Sequence, residues 1–187
     1  MHVPSRIQFY PLTPARWKDF ETLFGESGAC GGCWCMWPRL RRADFQKQKG
    51  PGNKKAMKRL VESGPPPGLL AYADGRPVAW CALAPRETYL ALTNSRILKP
   101  VDDQPVWSVV CFFVAKPYRR RGLSARLLEE AAKYARDQGA RIVVPYRHLT
   151  LRKYTQNPVG RGTPPMMASN SLATCNVVRS YRYGPTI

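Results

Sequence analysis

The sequence predicts an α/β (α+β) fold in which helices flank a mixed central β-sheet. Asp74-Gly75 separates two apolar runs of strand character, which indicates a tight antiparallel hairpin. A β-branched and aromatic run at residues 106–114 precedes an amphipathic helical pattern at 123–138, and another apolar run follows at 141–146. Two strands joined through a helix are expected to be parallel, so the sheet should combine antiparallel and parallel pairs.

Size and composition indicate one domain spanning residues 1–187. The chain has 187 residues, of which 44% are hydrophobic, enough for one core but too few for two domains of ordinary size. No apolar run approaches the roughly 18 residues of a membrane span, and the first residues lack the order of a signal peptide. A cytoplasmic protein with reduced cysteines is therefore expected, since Cys81 and Cys111 fall within apolar, strand-like runs.

The first half of the chain is predicted to contain two helices besides the hairpin. Thr13-Pro14 is typical of a helix start, with a capping side chain followed by proline in the first turn. Asn53 is predicted to cap the second helix, which Gly64 ends. The predicted elements are a strand at 6–10, helices at 14–24 and 54–62, and hairpin strands at 69–73 and 77–84.

The junction between the 106–114 strand and the following helix is rich in positive charge, because residues 119–122 read Arg-Arg-Arg-Gly. A helix start presents unpaired backbone N–H groups and the positive end of the helix dipole. Gly122 has no Cβ to keep a ligand away from that backbone. The junction therefore suits a polyanion such as a pyrophosphate, although an ordinary connection with a solvated basic loop would give the same pattern.

The run Arg119-Arg120-Arg121-Gly122-Leu123-Ser124 resembles the Q/R-x-x-G-x-G/A signature of the GNAT acetyltransferase superfamily. Ser124 replaces the final Gly or Ala of the signature and is small enough to leave the backbone accessible. The resemblance implies that the two parallel strands splay apart and that acetyl-CoA lies between them as co-substrate. It assigns the pyrophosphate to residues 119–124 and the pantetheine arm to the backbone of Phe112, Phe113 and Val114.

The reaction that this resemblance implies is attack by an amine on a thioester, which requires a group that accepts a proton. Candidates by position are Ser108 and Glu87, and candidates by chemistry are Tyr118 and Tyr146. A short helix is predicted near the C-terminus, with Met167 where many family members place a proton-donating tyrosine. Methionine cannot donate a proton, so another residue or solvent must do so. The acceptor, a small molecule or a protein, and the transfer of a larger acyl group are left open.

A glycine-rich loop at 28–38 carries three cysteines in a C-x-x-C-x-C spacing. A structural zinc site needs four ligands, and no other cysteine or histidine is spaced to supply the fourth, so no metal is expected. A redox role for Cys30 and Cys33 is one alternative. Another is a substrate pocket, since soft and flat side chains suit small-molecule binding. The residues assigned to that pocket are Cys33, Trp34, Met36 and Trp37.

The net charge of +18 predicts attraction to polyanions. One basic cluster is the loop already described, and the other spans residues 39–59, where a solvated helix face is favoured over an RNA or ribosome contact. The favoured function is an N-acetyltransferase. The alternative is a catalytically weak or decayed GNAT scaffold acting as a basic RNA- or ribosome-binding module. Nucleic acid is the less favoured partner, because no common nucleic-acid-binding motif occurs, and no membrane contact is expected.

Overall fold

The computed structural model describes residues 6–96, 100 and 103–145 of the chain. Three features predicted from the sequence lie outside the described residues: Tyr146, the helix that contains Met167, and a strand expected after it.

A five-stranded mixed sheet organises the described residues and confirms the predicted fold class. Its strands are β1 (Ile7–Pro11), β2 (Gly68–Ala73), β3 (Arg76–Pro85), β4 (Val106–Val114) and β5 (Ile142–Pro145), in the spatial order β1-β2-β3-β4-β5. The first three pairings are antiparallel and the β4–β5 pairing is parallel. At the β2–β3 hairpin, Asp74 and Gly75 have φ of 49° and 75°, the two positive values that a tight two-residue turn requires.

Five α-helices accompany the sheet in the described part of the chain. They are α1 (Trp17–Phe24), α2 (Arg42–Lys47), α3 (Pro51–Ser63), α4 (Leu90–Thr93) and α5 (Leu123–Asp137). Helix α5 connects β4 to β5, as a parallel pair requires. No helix among the described residues is long and apolar enough to cross a membrane.

Two details of the helix predictions are wrong. Residues Pro14–Arg16 form a 3-10 turn, so α1 proper begins only at Trp17. Helix α3 begins at Pro51, where proline's fixed φ suits a first turn, and not after Asn53. The Asn53 side chain is fully buried and donates from Nδ2 to the carbonyl oxygen of Gly32 at 3.1 Å, so it ties α3 to the cysteine loop instead of capping a helix.

The sheet separates two hydrophobic cores, because successive residues of a strand point to opposite faces. Leu70 and Tyr72 of β2 face the core under α1 and α3, whereas Leu69 and Ala71 face the core under α5. The first core is dominated by stacked aromatic rings, with the ring of Phe20 centred 4.9 Å from that of Trp80. Each face of β4 is therefore anchored in a packed core, which fixes the strand's orientation.

Candidate active site

Strand β4 is paired on both edges only along its first half. Strand β5 pairs with residues 106–109 of β4, and within the described part of the chain no strand pairs with residues 110–114 on that edge. The register against β3 shifts between Ala82 and Leu83, which face Cys111 and Val109, so Val110 is an extra residue in a β-bulge. Residues after Pro145 lie outside the described structure, so the splay of the two parallel strands stays a prediction.

The side chains of the three residues assigned to the pantetheine arm face the cores. Phe112 is buried under α5, and the ring of Phe113 lies 5.5 Å from that of Phe24 on the other side of the sheet. Val114 packs at the edge of the α5 core. A ligand at the β5-side edge of this half of β4 would therefore meet the backbone of these residues and not their side chains.

The loop after β4 forms an exposed basic turn at the start of α5. Gly122 is the residue before the helix and has φ of 73°, and an added Cβ there would meet no atom within 4 Å. Arg119, Arg120 and Arg121 are exposed, and Arg119 donates from Nε to the carbonyl oxygen of Val114 at 2.8 Å. That hydrogen bond fixes the loop to the end of β4.

The backbone of this turn offers several donors in one direction. In the described structure the amides of Arg120, Arg121 and Gly122 make no backbone hydrogen bond, and the first amides of α5, at Leu123 and Ser124, have no partner within the helix. Leu123 itself is buried in the α5 core and anchors the helix start. Unpaired amides, a helix dipole and two exposed guanidinium groups are features that favour the binding of an anion.

The four residues predicted to wall a substrate pocket are divided among three environments. Trp34 is buried among aromatic rings, with its ring stacked 5.7 Å from that of Phe24, so it packs in the core. Trp37 is 48% exposed and packs edge-on against Phe45. Cys33 is half-buried, and of the four only Met36 lines a cavity of appreciable size.

That cavity is a cleft of about 480 Å³ beside the end of β3 and the start of β4. Pro85 and Trp107 are opposite each other across these strands and both line the cleft. Ser108 is buried next to Trp107, opposite the lining residue Ala84. Glu87 is exposed in the 3-10 turn Arg86–Thr88, directly before the lining residue Thr88. The two candidate proton acceptors are thus chain neighbours of residues that line the cleft and do not line it themselves.

A buried polar cluster, which sequence reasoning did not find, lies beneath this cleft. The indole Nε1 of Trp80 donates to the Sγ of Cys35 at 3.1 Å. The pKa of the Cys35 thiol is lowered, chiefly by a hydrogen bond from the Cys111 thiol, and the Trp80 N–H and the charge of Arg39 add to this effect against the cost of burial. Burial raises the pKa of Tyr89 far above its usual value. The cluster joins residues from separate segments, so no local pattern indicates it.

Cys33 behaves differently from Cys35. Burial raises the pKa of its thiol to about 11, and Sγ donates to the carbonyl oxygen of Gly28 at 3.5 Å. A protonated thiol is a poor nucleophile and a poor metal ligand at neutral pH. No group of three His, Cys, Asp or Glu side chains within residues 6–96 and 103–145 is placed to hold a metal ion.

We therefore expect iodoacetamide to modify Cys33 slowly at neutral pH. Only the thiolate reacts, so the rate should rise about tenfold per pH unit between roughly pH 7 and 10, below the pKa of about 11. Site-resolved mass spectrometry measures this rate, with the unfolded protein as the reference for an unperturbed thiol. A rate that levels off near pH 8 would contradict the assigned burial.

Comparison with known proteins identifies the class of protein to which the chain belongs. The acetyltransferase (GNAT) family model matches residues 34–150, more than half of the chain. The chain belongs to this family. No curated protein matches it by sequence at a significant level.

Two solved structures share its fold. One is an aminoglycoside N-acetyltransferase in complex with CoA, at 11% identity and a TM-score of 0.51, covering 91% of this chain and 99% of its own. The other is a ribosomal-protein-alanine N-acetyltransferase from Brucella melitensis biovar Abortus 2308, at 14% identity and a TM-score of 0.50, covering 86% of this chain and 100% of its own. At these identities the likeness is one of fold.

Proposed function

We propose that the protein is an N-acetyltransferase that moves an acetyl group from acetyl-CoA to a primary amine. The observation that carries this proposal is a strand, β4, with a parallel neighbour, β5, that leads directly into the exposed Gly122 start of α5. Acetyl-CoA supplies an activated thioester, at which a C–N bond forms and the C–S bond breaks. The chain's own residues must bind this molecule, orient the amine and accept the amine proton.

Residues 119–124 hold the pyrophosphate in this proposal. The amides of Arg120, Arg121 and Gly122 have no backbone acceptor in the described structure, and the guanidinium groups of Arg120 and Arg121 add positive charge without an acidic partner among the described ion pairs. Open space in front of Gly122 leaves room for a bulky anion close to the backbone. Arg119 acts indirectly, because its Nε is already bonded to Val114.

The backbone of Phe112, Phe113 and Val114 orients the pantetheine arm in this proposal. These residues lie on the half of β4 that follows its described pairing with β5. Phe112 is buried and the other two side chains pack against the cores, which holds the strand in place and favours accurate positioning of the reacting groups.

The proton acceptor is proposed from Glu87, Ser108 and Tyr146. Glu87 is the one carboxylic acid side chain of the three, and it directly precedes a residue that lines the cleft. Ser108 is buried beside the cleft and can accept a hydrogen bond from the amine.

We expect Glu87→Gln to lower kcat/KM by about 10²-fold or more, the scale of lost general base catalysis. The affinity for CoA should be unchanged, because Glu87 lies apart from the phosphate loop along the chain and in the sheet. A pH–rate profile and a CoA titration of both proteins measure the two effects. An unchanged profile would transfer the role to Ser108, Tyr146 or solvent.

Thermal unfolding with and without acetyl-CoA tests the proposal, because a ligand that binds only the native state raises the melting temperature. Release of the CoA thiol during incubation with a panel of amines then measures transfer. We expect stabilisation at millimolar acetyl-CoA and amine-dependent thiol release. Absence of any thermal shift would refute the proposed co-substrate.

A second candidate function is binding of RNA through α2 and α3. The basic side chains there are exposed, and within the described part of the chain only Lys54 and Lys58 form ion pairs. A shallow cavity of about 510 Å³ lined by Lys47 and Lys49 lies on the same surface. RNA binding that weakens steeply between low and high salt, with no effect of acetyl-CoA on stability, would favour this function.

A further inference from the structure

The cleft beside β3 and β4 has the size of a small-molecule site, and its lining is almost entirely apolar. At about 480 Å³ it falls within the range usual for such sites. Its walls include Met36, Trp107 and the prolines at 65–67, and all other lining side chains but two are also apolar. The two exceptions are Thr88 and Arg39, so the described lining of the cleft carries one charge and that charge is positive.

The guanidinium of Arg39 lacks a counter-ion in the described structure. It lies 4.5 Å from the ring centre of Tyr89, and its Nη2 donates to the Tyr89 hydroxyl at 3.3 Å and to the carbonyl oxygen of Pro67 at 3.4 Å. Its Nε is buried without an acceptor, and none of the described ion pairs includes it. A partly buried cation with only neutral, long contacts is under-compensated, which makes it a site for an anion.

We propose that the acceptor is an amine that also carries a carboxylate, and that Arg39 binds this carboxylate while the apolar walls hold the hydrocarbon part. This inference rests on the proposed acetyltransferase function. Arginine's fork of N–H donors matches a carboxylate, and the contact is stronger in a cleft that excludes water.

The single positive charge of Arg39 favours a carboxylate over the charged groups of other classes of acceptor. A phosphate monoester carries about −1.5 to −2 at neutral pH, more than one guanidinium offsets. A polycationic aminoglycoside would meet Arg39 and no carboxylate among the described lining residues. Like-charge contact is unfavourable there, so such an acceptor is disfavoured although proteins of the same fold use it.

Matched pairs of amines test the charge requirement directly. The probes are β-alanine, γ-aminobutyrate and the α-amino acids with apolar side chains, each paired with its own carboxamide, and kanamycin serves as the polycation. Calorimetry measures binding to the full chain with and without CoA, and thiol release measures transfer from acetyl-CoA. We expect at least one acid to bind about tenfold or more tightly than its carboxamide, and the same acid to be acetylated preferentially.

Two variants of Arg39 assign the effect to this side chain. Arg39→Met keeps a side chain of similar length without the charge, so the affinities for acid and carboxamide should come to within about twofold of each other. Arg39→Lys keeps the charge but not the fork of N–H donors, so it should retain part of the preference for the acid. Arg16→Met is the matched control, because Arg16 also lies 4.5 Å from a tyrosine ring, that of Tyr10, but outside the cleft. For Arg16→Met, the ratio of the affinity for an acid to the affinity for its carboxamide should equal that of the wild type.

The outcomes separate this inference from the function on which it rests. If CoA binds and kanamycin or the carboxamides are the better acceptors, the inference fails and the acetyltransferase stands. If CoA does not bind, the function fails, and the calorimetry without CoA still decides whether Arg39 selects carboxylates. Absence of measurable binding by every acid at 10 mM would overturn the inference. Should Arg39→Met not fold, Arg39→Lys and the wild-type pairs decide it.

Discussion

Replacing Gly122 by aspartate is expected to weaken CoA binding by about 10³-fold while the protein still folds. The new carboxylate would occupy the open space before α5, where the proposal puts the pyrophosphate. Two like charges about 4 Å apart repel by about 4 kcal/mol at the effective dielectric of a protein surface, which corresponds to roughly three orders of magnitude in affinity. Calorimetric titration with CoA measures the loss.

Two controls separate charge from backbone strain at this position. Gly122→Ala adds a Cβ at φ of 73° without charge, at a cost of about 1–2 kcal/mol in stability. Gly139→Asp makes the same chemical change beyond the other end of α5, at φ of 85° and also with no atom within 4 Å of the added Cβ. It should leave CoA affinity within about twofold. Equal losses for Gly122→Asp and Gly139→Asp would mean that the anion site is elsewhere.

The largest effect on stability is expected for Gly68→Ala. A Cβ at Gly68 in β2 would overlap the backbone carbonyl oxygen of Cys81 and approach Cη2 of the Trp80 indole to 2.6 Å. The carbonyl belongs to the neighbouring strand and Trp80 is fully buried, so neither can move without disturbing the sheet and the aromatic core. We expect a loss of more than about 3 kcal/mol, at or beyond the upper end of overpacking effects.

Gly64→Ala is the matched control for that measurement. Gly64 lies four residues earlier, and an added Cβ there would have ordinary contact, 3.6 Å from the carbonyl oxygen of Leu60. Urea unfolding of both variants measures the difference, and Gly64→Ala should change the free energy of unfolding by less than about 0.5 kcal/mol. Equal stability of the two variants would contradict the close packing of β2 against Trp80.

The parts of the fold that the sequence predicts are those specified by local chemistry. The hairpin follows from Asp74-Gly75, whose positive φ values few other residues adopt. Strand β4, Gly122 and α5 follow from a change of hydrophobic period at a glycine. Where local chemistry is ambiguous the prediction fails, as at Asn53, whose capping chemistry is used for a tertiary hydrogen bond to Gly32.

The candidate site, like the fold, is predictable from the sequence only where its residues are close together in the chain. The basic loop at residues 119–124 is contiguous in sequence, so its arginines and Gly122 can be recognised together. The cleft combines Arg39, Thr88 and Trp107 from three distant segments, and only the sheet and its connections bring them together. In the cysteine loop, by contrast, a local pattern suggests a site residue that the structure places in the core. The flat side chain of Trp34 suggests a pocket wall but fills the core beside Phe24.

Hydrogen–deuterium exchange with and without acetyl-CoA tests most directly whether the β4–α5 region is the co-substrate site. A ligand along the second half of β4 and at the helix start would protect the amides of residues 110–124, because it accepts their hydrogen bonds and excludes water. We expect slower exchange in that segment and unchanged exchange in α2 and α3. Protection confined to α2 and α3, or no protection anywhere at saturating acetyl-CoA, would contradict it.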